Sequence, residues 1–187
     1  GQAIRLNPTD MPIHLWDENP PAISVDREGR VYVLYFADDQ QSSTSFFSHS
    51  DNGTLFSAPI KISSEANTWY HYQTEMLVDA KNRIHFIWHD TRDRAEYKKQ
   101  GGGDLSIYHA SAKTKTIEAP FSDQRIAKNI CSCCRTAMAE DVDGNLVILA
   151  RFVYPGNIRD HGLFKLSSDG KAGEPWRVTF DDWEIEG

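Results

Sequence analysis

The sequence predicts an all-β fold: a β-propeller of four-stranded antiparallel blades, with three blades in this chain. Three observations carry that reading. Apolar stretches are short, alternate with polar residues and are bounded by Gly, Asp, Asn and Pro, which is the pattern of strands rather than of helices. One hairpin grammar occurs three times, as "PPAISVDREGRVYVLYF", "QTEMLVDAKNRIHFIWH" and "RTAMAEDVDGNLVILAR". The copies are spaced by 53 and 62 residues, from Asp26 to Asp79 to Asp141, near the ~40–50 residues of a propeller blade. A β-sandwich is the alternative architecture, but a sandwich has no reason to repeat one hairpin three times.

Each element follows from this alignment. Gly29, Asn82 and Gly144 share a column three residues after the aspartates, and Gly and Asn tolerate the positive φ of a tight turn. The turn therefore joins a first strand to a second in every unit. Ile23, Met76 and Met138 form an inward column on the first strand; Val33, Phe86 and Ile148 form one on the second. Third strands follow as "TSFFSHS", "LSIYHAS" and "GLFKLSS". The first runs into "HSDNGTLF", where Asp51 is expected to cap its own backbone beside Asn52 and Gly53. "SSDG" (Ser167 to Gly170) is the counterpart in the third unit, and "SAKTKT" replaces it in the second. Fourth strands such as "APIKIS" and "PWRVTF" close the units. The blades are expected at about 15–63, 69–127 and 130–180, with 181–187 leading into a further blade. Trp16, Trp69, Trp88, Trp176 and Trp183 are expected to pack between blades.

Composition narrows the function classes. The 187 residues carry a formal net charge of -7, which argues against a nucleic-acid partner, since phosphate binding needs a basic surface. No apolar run approaches the ~18 residues of a membrane span, and the chain opens on no signal peptide. A blade buries both faces of its sheet against its neighbours, so three blades in a row leave two apolar faces bare. Three blades are about half of a six-bladed ring. The expected partner is a second half-propeller, from another chain or a second copy of this one.

Propeller loops alternate between two ends. The Gly/Asn turns and the Asp51 turn fall at one end. The other end receives "HLWDEN", "NTWYHY", "NICSCCR", "ADDQQSS", "HDTRDRAEYKKQGGGD" and "FVYPGNIRDHG", and loops gathered at one end of a rigid scaffold carry function. All three cysteines of the chain, Cys131, Cys133 and Cys134, lie there within four positions. Counting back eight from the aspartates puts Glu18, His71 and Cys133 at equivalent places, and Phe36, His89 and Arg151 share the column where the second strand exits. Three readings of the cysteines stand open. Cys131 and Cys134 form a local disulfide, as an exported location would favour. Or the thiolates hold a soft metal, copper(I) or zinc, with His71 or His161 as a further ligand and Arg135 helping to keep the sulfurs ionised. Or one cysteine serves redox chemistry. The glycines Gly101 to Gly103 form the tip of the longest loop and lack the context of a phosphate loop.

The chain also resembles a known family. "SDNGTLF" is similar to the Asp-box of sialidase-type (BNR-repeat) propellers, with His49 where serine is usual. "WHDTRD…DLSIYHAS" is similar to their passage from second to third strand. "ICSCCRTAMAEDVDGNLVILARFVYPGNIRD…DDWEIEG" resembles a subgroup of bacterial exported sialidase-like propellers bearing a Cys-x-Cys-Cys-Arg segment, which implies a periplasmic or extracellular location. In such relatives the chain continues, often to a further Cys-Pro-His. The resemblance also implies a competing activity: an exo-sialidase-type glycoside hydrolase acting on acidic sugars, which needs an arginine cluster for a carboxylate and an acidic acid/base. Arg92, Arg135, Arg151 and Arg159, with Asp90, are the residues for that role here, beside Arg94, Asp38, Asp39 and Asp93. The Arg-Ile-Pro segment of such enzymes has no counterpart in "AIRLNP". The expected function is an exported binding protein with a soft-metal site on its loop face; a non-catalytic protein-interaction propeller is the remaining alternative.

Overall fold

The computed structural model describes residues 3–7, 11–13, 19–38, 43–64, 70–95 and 105–184, with only the backbone described for Asp38 and Ser43. Sequence expectations that involve His14 to Glu18, Asp39, Trp69 or Gly101 to Gly103 lie outside these residues. Strands run in order as β1 (Ala22–Val25), β2 (Val31–Asp38), β3 (Ser43–Ser50), β4 (Ile60–Lys61), β5 (His71–Val78), β6 (Arg83–Asp90), β7 (Leu105–Lys113), β8 (Asp123–Ile130), β9 (Ala137–Glu140), β10 (Leu146–Tyr154), β11 (Ile158–Leu166) and β12 (Trp176–Arg177). β1 to β4 form a four-stranded antiparallel sheet, the first blade. β5 to β8 and β9 to β12 form two more meanders, merged into one eight-stranded sheet through the single pair Ile130 and Phe152 between β8 and β10.

The inner hairpins show why an aspartate anchors each repeat. Asp26 Oδ1 accepts the backbone N–H groups of Glu28 and Arg30, both at 2.9 Å. Asp79 Oδ1 does the same for Lys81 and Arg83 at 2.9 and 2.7 Å, and Asp141 Oδ1 for Asp143 and Asn145 at 3.0 and 2.9 Å. Gly29, Asn82 and Gly144 take φ values of 84°, 56° and 78°, so the column read from sequence is the left-handed corner of the turn. The register follows: Ile23 pairs with Val33, Met76 with Phe86, and Met138 with Ile148.

Burial explains where that column faces. Ile84, Phe86 and Trp88 of β6 pack toward the first blade with Tyr32, Leu34, Phe47 and Phe121. Ile87, Leu105, Ile107 and Ile130 pack toward the third with Ile148, Ala150, Phe152 and Phe164. β6 is covered on both faces, buried from Ile84 to Asp90, with Ile84, Phe86, Ile87 and Trp88 as its apolar core. Phe47 and Phe86 meet across the first seam with ring centroids 4.9 Å apart. Met76 and Met138 each face the blade before their own. No described residue supplies such a blade for Ile23, which is 71% exposed. The inward placement of Ile23 is therefore corrected.

Two further expectations change. Asn52, not Asp51, caps the β3–β4 turn: its Oδ1 accepts the N–H groups of Thr54 and Leu55 at 2.9 Å, while Asp51 pairs with Arg30 across the surface. Of the tryptophans described, Trp88 is buried between blades, but Trp176 and Trp183 are 48% and 56% exposed.

Burial in the seams holds His71, His89 and His109 neutral, pushing the pKa of each down to about 3. An unfolded histidine titrates near ~6.5, so below that pH the unfolded chain takes up protons that the native one refuses. The stability these groups contribute is thus complete above about pH 6.5 and falls as pH drops toward 3, by up to roughly 2 kcal/mol per histidine at pH 5. Thermal melts between pH 7 and 5 are expected to show a steep loss of melting temperature; a flat profile would refute neutral burial.

Candidate metal centre

The position of the cysteines follows from the way the second blade passes into the third. Asn129, at φ 58°, turns the end of β8, and the Cys131 N–H donates to the Arg151 carbonyl at 2.8 Å. Cys131 is thereby fixed beside β10, while residues 132–136 cross to β9. The aspartate-capped turn lies at the start of β10, and Arg151 stands five residues beyond Leu146, about 17 Å along the strand. The sulfurs therefore sit at the opposite end from the capped turns, as the loop assignment requires.

The three sulfurs converge. Cys131 Sγ lies 3.4 Å from Cys133 Sγ and 3.4 Å from Cys134 Sγ, and the last two are 3.7 Å apart. None of the three is in a disulfide, with Cys131 buried, Cys134 half-buried and Cys133 exposed, so of the three readings left open the Cys131–Cys134 disulfide is the one this structure does not form. They make a group able to hold a metal ion. A triangle with those edges has its centre about 2.0 Å from each corner, inside the ~2.3 Å of a zinc–thiolate bond. Cys131, Cys133 and Cys134 would hold such an ion through their sulfurs, and thiolate ligands of this kind suit a soft ion.

Two arginines are built into the site. Arg159 Nη1 donates to Cys131 Sγ at 3.2 Å, and Arg151 Nη1 to Cys134 Sγ at 3.5 Å. Arg159 is held by Asn157, whose Oδ1 accepts from Nε and Nη2 at 3.1 and 2.9 Å. Arg151 is held by the Arg159 carbonyl at 2.9 Å and lies 4.7 Å from the Trp183 ring centroid. The hydrogen bond from the Cys134 thiol, aided by the Arg159 guanidinium, pulls Cys131 down to about 4 against the opposing effect of burial. The shared proton pushes Cys134 the other way. At neutral pH the pair thus holds one thiolate and one thiol.

The other residues singled out in the sequence fall in different places. His161 lies directly across β10–β11 from Arg151, so its side chain shares that face. His71 is fully buried against Trp88, its Nδ1 accepting the Ser45 N–H at 3.2 Å. The histidine that touches the cysteine loop is His89, whose Nε2 lies 2.6 Å from Thr136 Oγ1. Arg135 stands 3.7 Å from Glu75. Arg92 and Asp90 belong to a separate network: Arg92 binds Asp90 at 2.8 Å and Asp123 at 3.0 Å, over the Tyr108 ring. Arg94 lines a cavity of about 240 Å³ with Tyr72, Thr91, Leu105, Ser132 and Cys133. Sequence reasoning missed Asn157 and Trp183 as parts of the site. Both lie in the segment "PGNIRD…DDWEIEG", where nothing in residue type points to a sulfur site.

No family model and no curated protein sequence matches the chain. Solved structures do. A Hadza microbial sialidase, Hz136, superposes with a TM-score of 0.60 at 14% identity, over 83% of this chain and 37% of that one. The family 117 glycoside hydrolase Zg3597 of the marine bacterium Zobellia galactanivorans gives 0.54 at 10% identity, over 88% of this chain and 56% of that one. An endo-arabinase from Bacteroides thetaiotaomicron gives 0.53 at 16% identity, over 89% and 64%. At such identities the likeness establishes the fold, a sialidase-like β-propeller, and this chain spans between 37% and 64% of those three lengths.

Replacing Arg159 with Ala removes a charge-assisted donor from the Cys131 sulfur. The thiolate absorbance of the metal-free protein is expected to appear at higher pH, by about one pH unit or more. An unchanged titration would show that the arginine does not set the ionisation.

Proposed function

We propose that this chain is part of an exported propeller that binds a soft, thiophilic metal ion, copper(I) or zinc, through Cys131, Cys133 and Cys134, with His161, across the strand pair from Arg151, as a further ligand. The observation that carries this reading is the convergence of three free sulfurs within 3.7 Å of one another, beside two guanidinium groups that favour their ionised form. Thiolate sulfur selects soft ions. Gathering three cysteines for packing alone would not require two arginines aimed at the sulfurs.

Metal analysis with a thiol count tests it. One ion per chain is expected, with near-complete loss on Cys131→Ser. Because the proton on Cys134 must leave when the ion binds, affinity is expected to strengthen at least ~tenfold per pH unit between pH 6 and 8. Metal-free protein with oxidised cysteines would overturn the reading. The competing exo-sialidase reading draws on the carbohydrate-active names of the structural neighbours. Against it, Arg151 and Arg159 are engaged with sulfur and Arg92 with two carboxylates. Turnover of a fluorogenic sialoside would reverse that preference.

The exposed face of the first blade supports a second part of the proposal. Ile23 and Val25 are 71% and 55% exposed, on the face that in the other two blades packs against a preceding blade. A further blade, from another chain or a second copy, is proposed to cover them. Light scattering is expected to report a particle larger than 21.2 kDa; a soluble monomer would overturn it.

A further inference from the structure

We infer that the cavity beside Cys133 is a docking site for the carrier of the metal: a small thiol bearing a carboxylate, which delivers the ion as its thiolate complex. This rests on the soft-metal reading above and adds a route and a ligand class to it. Three observations lead there. The sulfurs are graded in exposure, with Cys133 exposed, Cys134 half-buried and Cys131 buried, so an arriving ion meets Cys133 first. Cys133 is also the one sulfur that lines the cavity of about 240 Å³, which has room for a cysteine-sized group. The chemistry of the lining then selects the occupant. Among the described residues Arg94 is its single charged group, and Tyr72, Thr91, Leu105 and Ser132 complete the lining with Cys133. A guanidinium suits a carboxylate, and the adjacent sulfur suits a metal-bound thiolate.

Transfer by this route is ligand exchange without oxidation. The Cys133 thiol replaces one carrier thiolate on the ion, and its proton leaves with the displaced carrier as free thiol. The Cys134 thiol repeats that exchange. Cys131, held beside the Arg159 guanidinium, makes the third exchange, and the last carrier leaves with any proton that this sulfur gives up. The ion thus moves inward from the exposed sulfur to the buried one, with its charge unchanged throughout. The two guanidinium groups on Cys131 and Cys134 offset the negative charge that accumulates.

The test compares carriers. The metal-free full chain is mixed with copper(I) presented as its glutathione complex, whose thiol carries carboxylates, or as its 2-mercaptoethanol complex, whose thiol is uncharged. Free copper(I) activity is matched, and uptake is followed by the thiolate-to-metal absorbance. The expected result is uptake from glutathione about tenfold faster at low salt, with Arg94→Ala and Arg94→Glu removing that advantage and leaving the 2-mercaptoethanol rate unchanged. Cys133→Ser is expected to slow uptake from both carriers. Equal rates from the two carriers, or a preference that survives Arg94→Glu, would overturn the carrier site while leaving the metal site standing. Uptake from neither carrier would overturn both.

Discussion

One carboxylate oxygen per blade organises this molecule. Asp26, Asp79 and Asp141 each gather two backbone N–H groups that a tight turn would otherwise leave without acceptors. A buried or half-buried donor left unpaired costs about 1–3 kcal/mol, so the turn has one favoured form and the hairpin one register. With the register fixed, alternate residues of the second strand point to opposite neighbours: Phe86 toward the first blade, Ile87 toward the third. The seams between blades then follow from side-chain shape. Everything at the far end of the strands, the sulfur cluster included, is positioned by a device about a strand's length away.

The second oxygen of each aspartate shows how a common frame is varied. Asp26 Oδ2 accepts from the Tyr32 hydroxyl at 3.0 Å, Asp79 Oδ2 lies 3.2 Å from His85 Nε2, and Asp141 Oδ2 accepts from Lys165 at 2.7 Å. His85 in turn sits 3.0 Å from His109. Three chemically different partners thus serve equivalent places, because the backbone half of the device is complete without them.

The repeat is legible in the sequence because its signals are local. An aspartate followed three residues later by Gly or Asn needs nothing outside the turn, and the pairings Ile23–Val33, Met76–Phe86 and Met138–Ile148 follow by counting. The gathering of the cysteines is legible for the same reason. What escapes a reading of the sequence depends on contacts between distant segments. Asn52 rather than Asp51 caps its turn because Arg30 draws the aspartate away. Arg151 and Arg159 lie 17 and 28 residues from the sulfurs they touch. The size of Trp183 suggests a core residue, whereas its exposed ring lies beside Arg151. Alignment places His71 near the sulfurs, but its neighbours in space are Trp88 and Ser45.

The single strand pair that merges the second and third blades has a mechanical meaning. Ile130 meets Phe152 there, and the very next residue, Cys131, adds its own N–H to the Arg151 carbonyl. The sulfur cluster therefore grows out of the line where two blades are joined into one sheet, with Cys131 anchored at the end of the blade behind and its guanidinium neighbours rooted in the blade ahead. Any splaying of one blade from the other pulls thiolate and guanidinium apart. The contacts of the two arginines with the sulfurs thus depend on that joint staying closed.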